Sequence, residues 1–586
     1  MTLPSSGPIS MNNVNVELGY SGTALISLND TAVRTLFGVA SGQISLSDGY
    51  GKSNTTYFIM AYQAIASPCA FTSYRNIGFN GALVNGSSYY FYGSLNTGVT
   101  YGGIANTGIG YLIVKTSNAG AYSASKWYGL SGTGCCCRPY TSANSSIYKM
   151  LVNPADGYLY GYSQYYGYNT NYWCGAPDQG FYYNAIRRFD ASTLALVSST
   201  WAREFDTYAR GYSVSIMDNV YLDASNNTYF AGYYTFNVIN YCISCCPIAG
   251  TGELLLKTNS SGSSLTYAQA GTRASFDYQI RSIGNTSSAQ YSSTQILTSR
   301  AAYGYRTQTA NYYIDFKLYT MSTGALTSWY RGTGLNGFSS YAETVRAVDS
   351  SSNIYNQLTI NAVGVLKTGM AKYNSSMVQQ WNISLWHSGS NDYGTSAAID
   401  SSGNSYLCGY TYSLIDNTDP CNPKYGYMGT LFKFNSSGVL QWRRYFYTAN
   451  GAADTKFSQV QVTSSGALLL VGTFNTSATT WYGLGVQLNS NGSGTGTYTI
   501  DGIALTYAAT PPYPATTVFN SASIAAYTYT YQATQPTGYA IINVPTTSPT
   551  NFNWNLTTAQ GQSVTNRQID TSANLNQTLN YNFKAL

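Results

Sequence analysis

The sequence predicts an all-β fold: a seven-bladed β-propeller, preceded by a short helical N-terminal docking segment and followed by a small C-terminal β domain. Three observations predict it. Tyr, Val, Thr, Ile and Phe alternate with small polar residues over most of the chain, the period of strands on a sheet. Gly, Asn, Ser and Asp clusters punctuate these runs, where turns need φ > 0 or a side-chain-to-backbone bond. One pattern also recurs seven times, at intervals of about 55–70 residues, the kind of internal period that marks repeat architectures.

Residues 1–53 come first. Ser10 and Asn29 or Asp30 are N-cap types ahead of MNNVNVEL and TAVRTLF, and Gly19 and Gly38 are C-terminal stop types. Helices of about two turns are not stable alone, so the segment is expected to dock on something. The ordered run LPSSGPISMNNVNVELG, followed by ISLNDTAVRTLFGVASGQISLSDGYGKS, resembles a short N-terminal module on virion proteins of tailed bacteriophages, especially those of cyanobacteria. The resemblance implies docking to other virion or tail proteins and a location on the virion. It implies nothing about the body that follows.

Residues 54–506 hold the repeats. The clearest unit, at 397–446, reads AAIDSSGNSYLCGYT, an insert, then GTLFKFNSSGVLQWRRYF. Its second half recurs as a basic residue, a short apolar/polar pair, a polar turn and an aromatic. The anchors are Lys115, Arg188, Lys257, Lys317, Lys372, Lys433 and, in the last copy, Gln487. The first half recurs behind Asn85, Asn153, Asp223, Asp349, Asp400 and Thr463, and has no clean copy between Lys257 and Lys317. Small four-stranded sheets arranged in a ring bury their faces on one another and manage their edges, whereas a linear stack would need polar caps. The Asp-x-x-Gly-Asn-x-Tyr-x-x-Gly turn and the Gly-x-x-x-Trp ending resemble the bacterial secreted-type β-propeller repeat. That resemblance implies a fold and no chemistry. Ring closure needs a strand from the far end of the chain; residues 56–63 and 497–507 are both candidates, and the sequence leaves the choice open.

Residues 507–517, YAATPPYPATT, read as a Pro-stiffened linker. Residues 518–586 contain AAYTYTYQA, YAIINV, NFNWNLTT and TLNYNFKAL, expected to form a small domain of four to six strands. Its basic residues are Arg567 and Lys584 alone. So uncharged a surface is expected to be covered, by an oligomer, a trimer among the options, or by a virion neighbour.

Composition narrows the function classes. The 586 residues carry 28 Lys+Arg against 22 Asp+Glu, a net charge of +6, and charged residues make up 9%. A charge this sparse builds no basic patch and argues against nucleic acid as the partner. No run of about 18 apolar residues occurs, so no membrane insertion is expected. The N-terminus lacks the charge and apolar stretch of a secretory signal, and synthesis in a host cytoplasm is expected. Ten cysteines, some adjacent, make a poor disulfide framework.

Candidate chemistry is thin. His387 is the sole histidine, so any Ser-His-Asp or Cys-His site must use it. It stands at the end of an expected fourth strand, where a loop or edge placement is expected. Glu204 and Asp206 (REFD) share a strand face by period two and could flank a glycosidic bond; Arg203 and Arg210 beside them favour ordinary ion pairs. Cys135–Cys137 with Cys242, Cys245 and Cys246 could supply thiolates for zinc, pair as disulfides or stay free. No nucleotide-loop or zinc-protease motif occurs, so no catalytic residue, metal or cofactor is assigned.

Tyrosine is the largest signal, at 59 residues. Packing between sheets accounts for most of a propeller's tyrosines. Tyr mixed with Ser, Gly and Asn is also the mixture of antibody binding loops. The densest stretch is YSQYYGYNTNYWCGAPDQGFYY at 162–183, where Tyr165, Tyr166, Tyr168, Tyr172 and Trp173 are the candidate ligand-binding residues, for sugar faces or a protein neighbour. The resulting expectation is a virion structural protein, a tail fibre or tail-tip adhesin that binds a host-surface glycan or protein. A decoration protein without a receptor and a polysaccharide-degrading tail enzyme are the alternatives.

Overall fold

The computed structural model describes residues 6–17, 23–37, 41–50, 58–65, 75–101, 104–118, 122–128, 143–169, 179–206, 212–238, 248–260, 265–270, 280–282, 287–305, 310–332, 340–362, 364–387, 390–448, 453–477, 480–492, 495–500, 503–513, 519–522, 529–531, 542–543, 558–559 and 578–584, with Leu3, Val39 and Gly120 besides.

Two short helices open the chain, α1 (Met11–Glu17) and α2 (Thr31–Phe37), with a 3-10 turn at Leu46–Gly49. Ser10 caps α1: its hydroxyl accepts from the Asn13 N–H at 3.2 Å, and its own N–H donates to the Asn13 side chain at 2.9 Å. Asp30 stands before α2, where its carbonyl accepts the Arg34 N–H. Gly19 and Gly38 lie outside the described residues. Leu3, Ile9, Val14, Val33, Leu36 and Phe37 are buried against one another. The helices thus find apolar partners inside their own segment, which the short helix lengths alone did not foretell.

Strands follow: β1 (Phe58–Ile65), β2 (Arg75–Asn85), β3 (Ser88–Tyr101), β4 (Ile104–Ser117), β5 (Tyr122–Tyr128), β6 (Ala143–Val152), β7 (Leu159–Asn169), β8 (Gln179–Phe189), β9 (Leu196–Asp206), β10 (Tyr212–Leu222), β11 (Thr228–Val238), β12 (Ile248–Thr258) and β13 (Leu265–Ala270). Next are β14 (Ile280–Ser282), β15 (Ser287–Ser292), β16 (Gln295–Tyr305), β17 (Ala310–Thr320), β18 (Leu326–Gly332), β19 (Ser340–Val348), β20 (Ile354–Ala362), β21 (Val365–Tyr373) and β22 (Gln379–His387). The last are β23 (Asp392–Ile399), β24 (Ser405–Asp416), β25 (Lys424–Phe434), β26 (Leu440–Thr448), β27 (Asp454–Val462), β28 (Leu468–Ser477), β29 (Thr480–Leu488), β30 (Gly496–Ile500), β31 (Ile503–Ala508), β32 (Phe519–Ala522), β33 (Tyr529–Tyr531), β34 (Ile542–Asn543), β35 (Thr558–Ala559) and β36 (Thr578–Lys584).

The chain is an all-β propeller. Its repeating unit is an antiparallel four-strand meander, such as β23–β24–β25–β26. Hydrogen bonding joins the described strands into six sheets, so the structure shows six blades and not the seven separate ones expected. The difference lies at a seam. Arg75 and Asn76 at the start of β2 pair in parallel with Thr480 and Trp481 of β29, which fuses the first meander and the last into one ten-stranded sheet. Side chains tighten that seam: Gln459 accepts the Ala82 N–H at 2.8 Å, Gln461 donates to the Ala82 carbonyl at 2.7 Å and Ser458 to the Phe79 carbonyl at 2.6 Å.

The innermost strands neighbour one another in order, β2, β6, β10, β15, β19, β23 and β27, and β27 returns to β2. The ring closes through β1, which pairs antiparallel with β29 from Phe58↔Gln487 to Tyr62↔Gly483. The rival closing segment, 497–507, forms β30 and β31 instead, and β31 adds to β26.

Apolar clusters fill the space between neighbouring sheets. Tyr355, Met370 and Leu385 of β20–β22 meet Leu407, Phe432 and Phe434 of β24–β25. Tyr406, Leu431 and Phe446 on the opposite face of that sheet meet Phe457, Leu468 and Leu470 of β27–β28. That sheet is therefore buried on both faces, the arrangement that permits near-continuous apolar strands.

The repeat anchors gain a physical meaning from the register. Lys115, Arg188, Lys257, Lys372 and Lys433 stand directly across from Tyr90, Tyr160, Tyr229, Tyr355 and Tyr406. The Lys257, Lys372 and Lys433 ammonium groups lie 5.2–5.3 Å from those ring centres, within cation–π range. The interval without a clean first half is a tight hairpin between β15 and β16 that dispenses with the Asp turn.

The C-terminal strands do not form a sheet of their own among the described residues. β32 pairs with β22, β33 with β18, β34 with β13, β35 with β5 and β36 with β1. Each extends a blade outward. Strand pattern reveals strands and not the edge they join. Of the Pro-rich stretch, residues 507–513 are described and lie against the ring. Pro511 is buried, and the Tyr513 hydroxyl accepts the Asn417 N–H at 2.8 Å. No helix among the described residues is long and apolar enough to cross a membrane.

Candidate functional site

The hairpin of β24 and β25 runs past the end of its neighbour. β23 pairs with β24 only as far as Asp392↔Thr411. Beyond it, Tyr412↔Tyr427, Leu414↔Tyr425 and Asp416↔Lys424 make a two-stranded ribbon. The YTY and YGY triplets place four tyrosines on one face by period two. Tyr393 of β23 stacks on Tyr410 at 4.8 Å and 21°. Tyr410 meets Tyr427 edge-on at 5.5 Å, and Tyr427 meets Tyr412 at 5.0 Å. Tyr412 lies along Tyr425 at 6.0 Å and 23°. Lys456 reaches over from β27, its Nζ 3.6 Å from the Tyr427 ring centre and 5.5 Å from that of Tyr410.

The ladder ends in solvent: Tyr412 is 45% and Tyr425 54% exposed. Its base is fixed. Ile415 and Met428 are fully buried beneath it. Asp454 accepts the Tyr427 N–H at 2.8 Å. Gly426 has no room for a side chain, since a Cβ there would sit 2.7 Å from Ile415 Cδ1 and 3.0 Å from the Asp454 carboxylate. At the tip, Asp416 accepts from the Thr418 N–H at 3.0 Å and its hydroxyl at 2.8 Å, and pairs with Lys424 at 3.3 Å. Those Thr418 bonds and the Lys424 charge hold the Asp416 carboxyl below its ordinary range. Burial first, then neighbouring tyrosines, push the Tyr410 and Tyr427 hydroxyls up, so both stay neutral donors near pH 7. The result is a fixed shelf with two exposed tyrosines at its end, several hydroxyls and one cation. Such a surface can stack on a flat apolar face and hydrogen-bond around it.

Three of the tyrosines expected to bind ligand sit on the corresponding hairpin of another blade. Tyr165, Tyr166 and Tyr168 belong to β7, in register with Tyr183, Tyr182 and Gly180 of β8. Tyr172 and Trp173 lie outside the described residues. Tyr393, Tyr410, Tyr412, Tyr425, Tyr427 and Lys456 were missed. The available signal was the pair of tyrosine triplets flanking the insert.

His387 does end a fourth strand, but it is buried and not at an edge, because β32 covers it. Its Nδ1 lies 2.6 Å from Asp392 Oδ1. Its Nε2 lies 2.9 Å from the Tyr445 hydroxyl. Burial pushes that hydroxyl up. With both nitrogens engaged and the ring fully enclosed, the histidine reads as a packed structural network. Glu204 and Asp206 pair with Tyr183 and Phe181 on β9, the outermost strand of its sheet, and not at the inner-strand ends where a propeller site opens. Cys135–Cys137, Cys242, Cys245 and Cys246 lie outside the described residues. Burial pushes the Cys408 thiol up to about 12, against a bond from Thr395 that lowers it, and Cys421 is exposed. Among the described residues no three His, Cys, Asp or Glu side chains cluster as a metal site would require.

Comparison with known proteins adds one family match. The model of a β-propeller repeat matches residues 385–416, the end of β22 through β24. No curated protein sequence matches. Solved structures are similar only distantly. Acylaminoacyl peptidase of Pyrococcus horikoshii matches at 10% identity and a TM-score of 0.34 over 70% of this chain and 51% of its own, so this chain spans about half that length. The polysaccharide lyase Uly1 matches at 10% identity and 0.37, over 74% and 97%. The NanB sialidase of Streptococcus pneumoniae matches at 10% and 0.32, over 75% and 71%. Scores this low carry no argument about chemistry. Sheet topology and repeat match together identify the body of this chain as a β-propeller carrying a β-propeller repeat.

Proposed function

We propose that the chain is an attachment protein of a virion, docked by residues 1–53 and recognising a host-surface glycan or protein through tyrosines on its second-to-third-strand hairpins. The exposed Tyr412–Tyr425 pair, at the end of a rigid tyrosine ladder, carries the recognition half of this reading. The resemblance of residues 1–53 to a phage virion module supports the other half. Two stacked rings at about 0.5–1.5 kcal/mol each correspond to roughly 5- to 150-fold in affinity. Replacing Tyr412 and Tyr425 together with Ala is expected to weaken adsorption to host cells by about that factor, with an unchanged melting temperature. Full adsorption by the folded double variant would favour a decoration protein. Deleting residues 1–53 is expected to abolish incorporation into particles, counted by mass spectrometry of purified virions.

We also propose that the ten-stranded sheet works as two blades, β1 with β27–β29 and β2–β5. The order of innermost strands, in which β2 and β27 hold separate places, supports this seven-fold reading.

A further inference from the structure

After β30 the described strands join outer strands of the sheets in the reverse of the order in which the chain built them. It adds β31 to β26, β32 to β22, β33 to β18, β34 to β13, β35 to β5 and β36 to β1. An outer strand presents a row of unpaired N–H and C=O groups, and proteins normally blunt such edges with charge, Pro or a cover. Here the cover is the chain's own C-terminal strands at every sheet except β6–β9, to whose outer strand none is added among the described residues. We propose that the rim of the ring is a strand-binding surface whose ligand is the C-terminal strands β31–β36 of the same molecule, a belt that locks the ring closed.

The belt's grips are unequal. β31 buries Leu505 and Tyr507, and Tyr507 stacks on Phe446 at 4.6 Å. In β32, Phe519 sits edge-on to His387 at 5.4 Å and stacks on Phe432 at 5.7 Å, with the Arg443 guanidinium 4.6 Å from its ring centre. Ser384 Oγ donates to the Ala522 carbonyl at 3.0 Å. β33 and β34 are short, from Tyr529 to Tyr531 and from Ile542 to Asn543. Their hold comes from tethering, which converts weak contacts into intramolecular ones. The final grip matters most for the ring. β36 lies parallel to β1 from Ile59↔Thr578 to Ile65↔Lys584. The strand that closes the ring is therefore held on one side by β29 and on the other by the end of the belt.

The test keeps the full chain. A protease recognition sequence is inserted between Pro514 and Val518, the folded protein is cut, and the products are followed by size-exclusion chromatography with light scattering. The proposal expects the fragment from 518 onward to co-elute with the ring at the mass of one chain. It also expects amide exchange in β22 to rise about ten-fold or more in the Asn520→Pro variant, whose Pro removes a ladder donor opposite Trp386, while β24 stays protected. A fragment that elutes alone from a folded ring, or that melts separately, would overturn the belt. A two-chain complex in which a tagged fragment sits on an untagged ring would overturn its assignment to the same molecule.

Discussion

Asp223, Asp349 and Asp400 hold three turns by the same set of bonds. In each, Oδ1 accepts the backbone N–H groups two and four residues on, and Oδ2 accepts the Asn side chain four residues on and the Tyr hydroxyl six residues on. Asp349→Ala leaves these donors short of a partner and is expected to cost ~1–3 kcal/mol in urea unfolding, with the slope unchanged. Burial pulls the Asp223 and Asp349 carboxyls up, but the Asn, backbone and Tyr donors outweigh it and hold both low. The sign follows from that direction: a depressed carboxyl stabilises the fold above its unfolded value of about 4, and the contribution is lost as pH falls through the folded value. Melting temperature should drop between pH 5 and pH 2, less so in Asp349→Asn. Gly438 is a second fixed point, at φ +80 with a Cβ position 2.5 Å from Trp381. Gly438→Ala should cost about 1–3 kcal/mol by strain and overpacking. The turn role of the lead Asp residues was legible in the sequence, because capping is local. The Lys-over-Tyr pairing was not, because it exists only once register sets Lys433 opposite Tyr406.

At the scale of elements, alternation and turn chemistry located the strands, and the repeat anchors fell on the third strand of every meander. What the pattern left open was partnership. TLNYNFK reads as a strand in any context, and nothing local says that it lies along β1. The same limit hid the tyrosine shelf: YTY and YGY are visible as strands, yet their cross-strand meeting depends on the bulge between Leu414 and Asp416 and on Gly426. Lys456 pins the ladder from the neighbouring meander. Lys456→Met keeps its length but removes the cation, and should lower the melting temperature by no more than a few degrees while reducing host adsorption less than loss of Tyr412 and Tyr425 does.

At the scale of the molecule, the repeats foretold a ring and left its seam unrecorded. The seam where Arg75 and Asn76 run beside Thr480 and Trp481 joins the two ends of the repeat array, and no local pattern records such a contact. The belt likewise turns an expected appendage into part of the ring. Both features concern closure of the ring. The most direct measurement is a cross-link between β1 and β29, at the facing positions Ala61 and Leu484. Cysteines placed at both positions in the full chain, oxidised and located by peptide mass mapping, should join within one molecule and raise the melting temperature. A link that forms only between molecules, or none in folded protein, would contradict a ring closed by its own N-terminal strand.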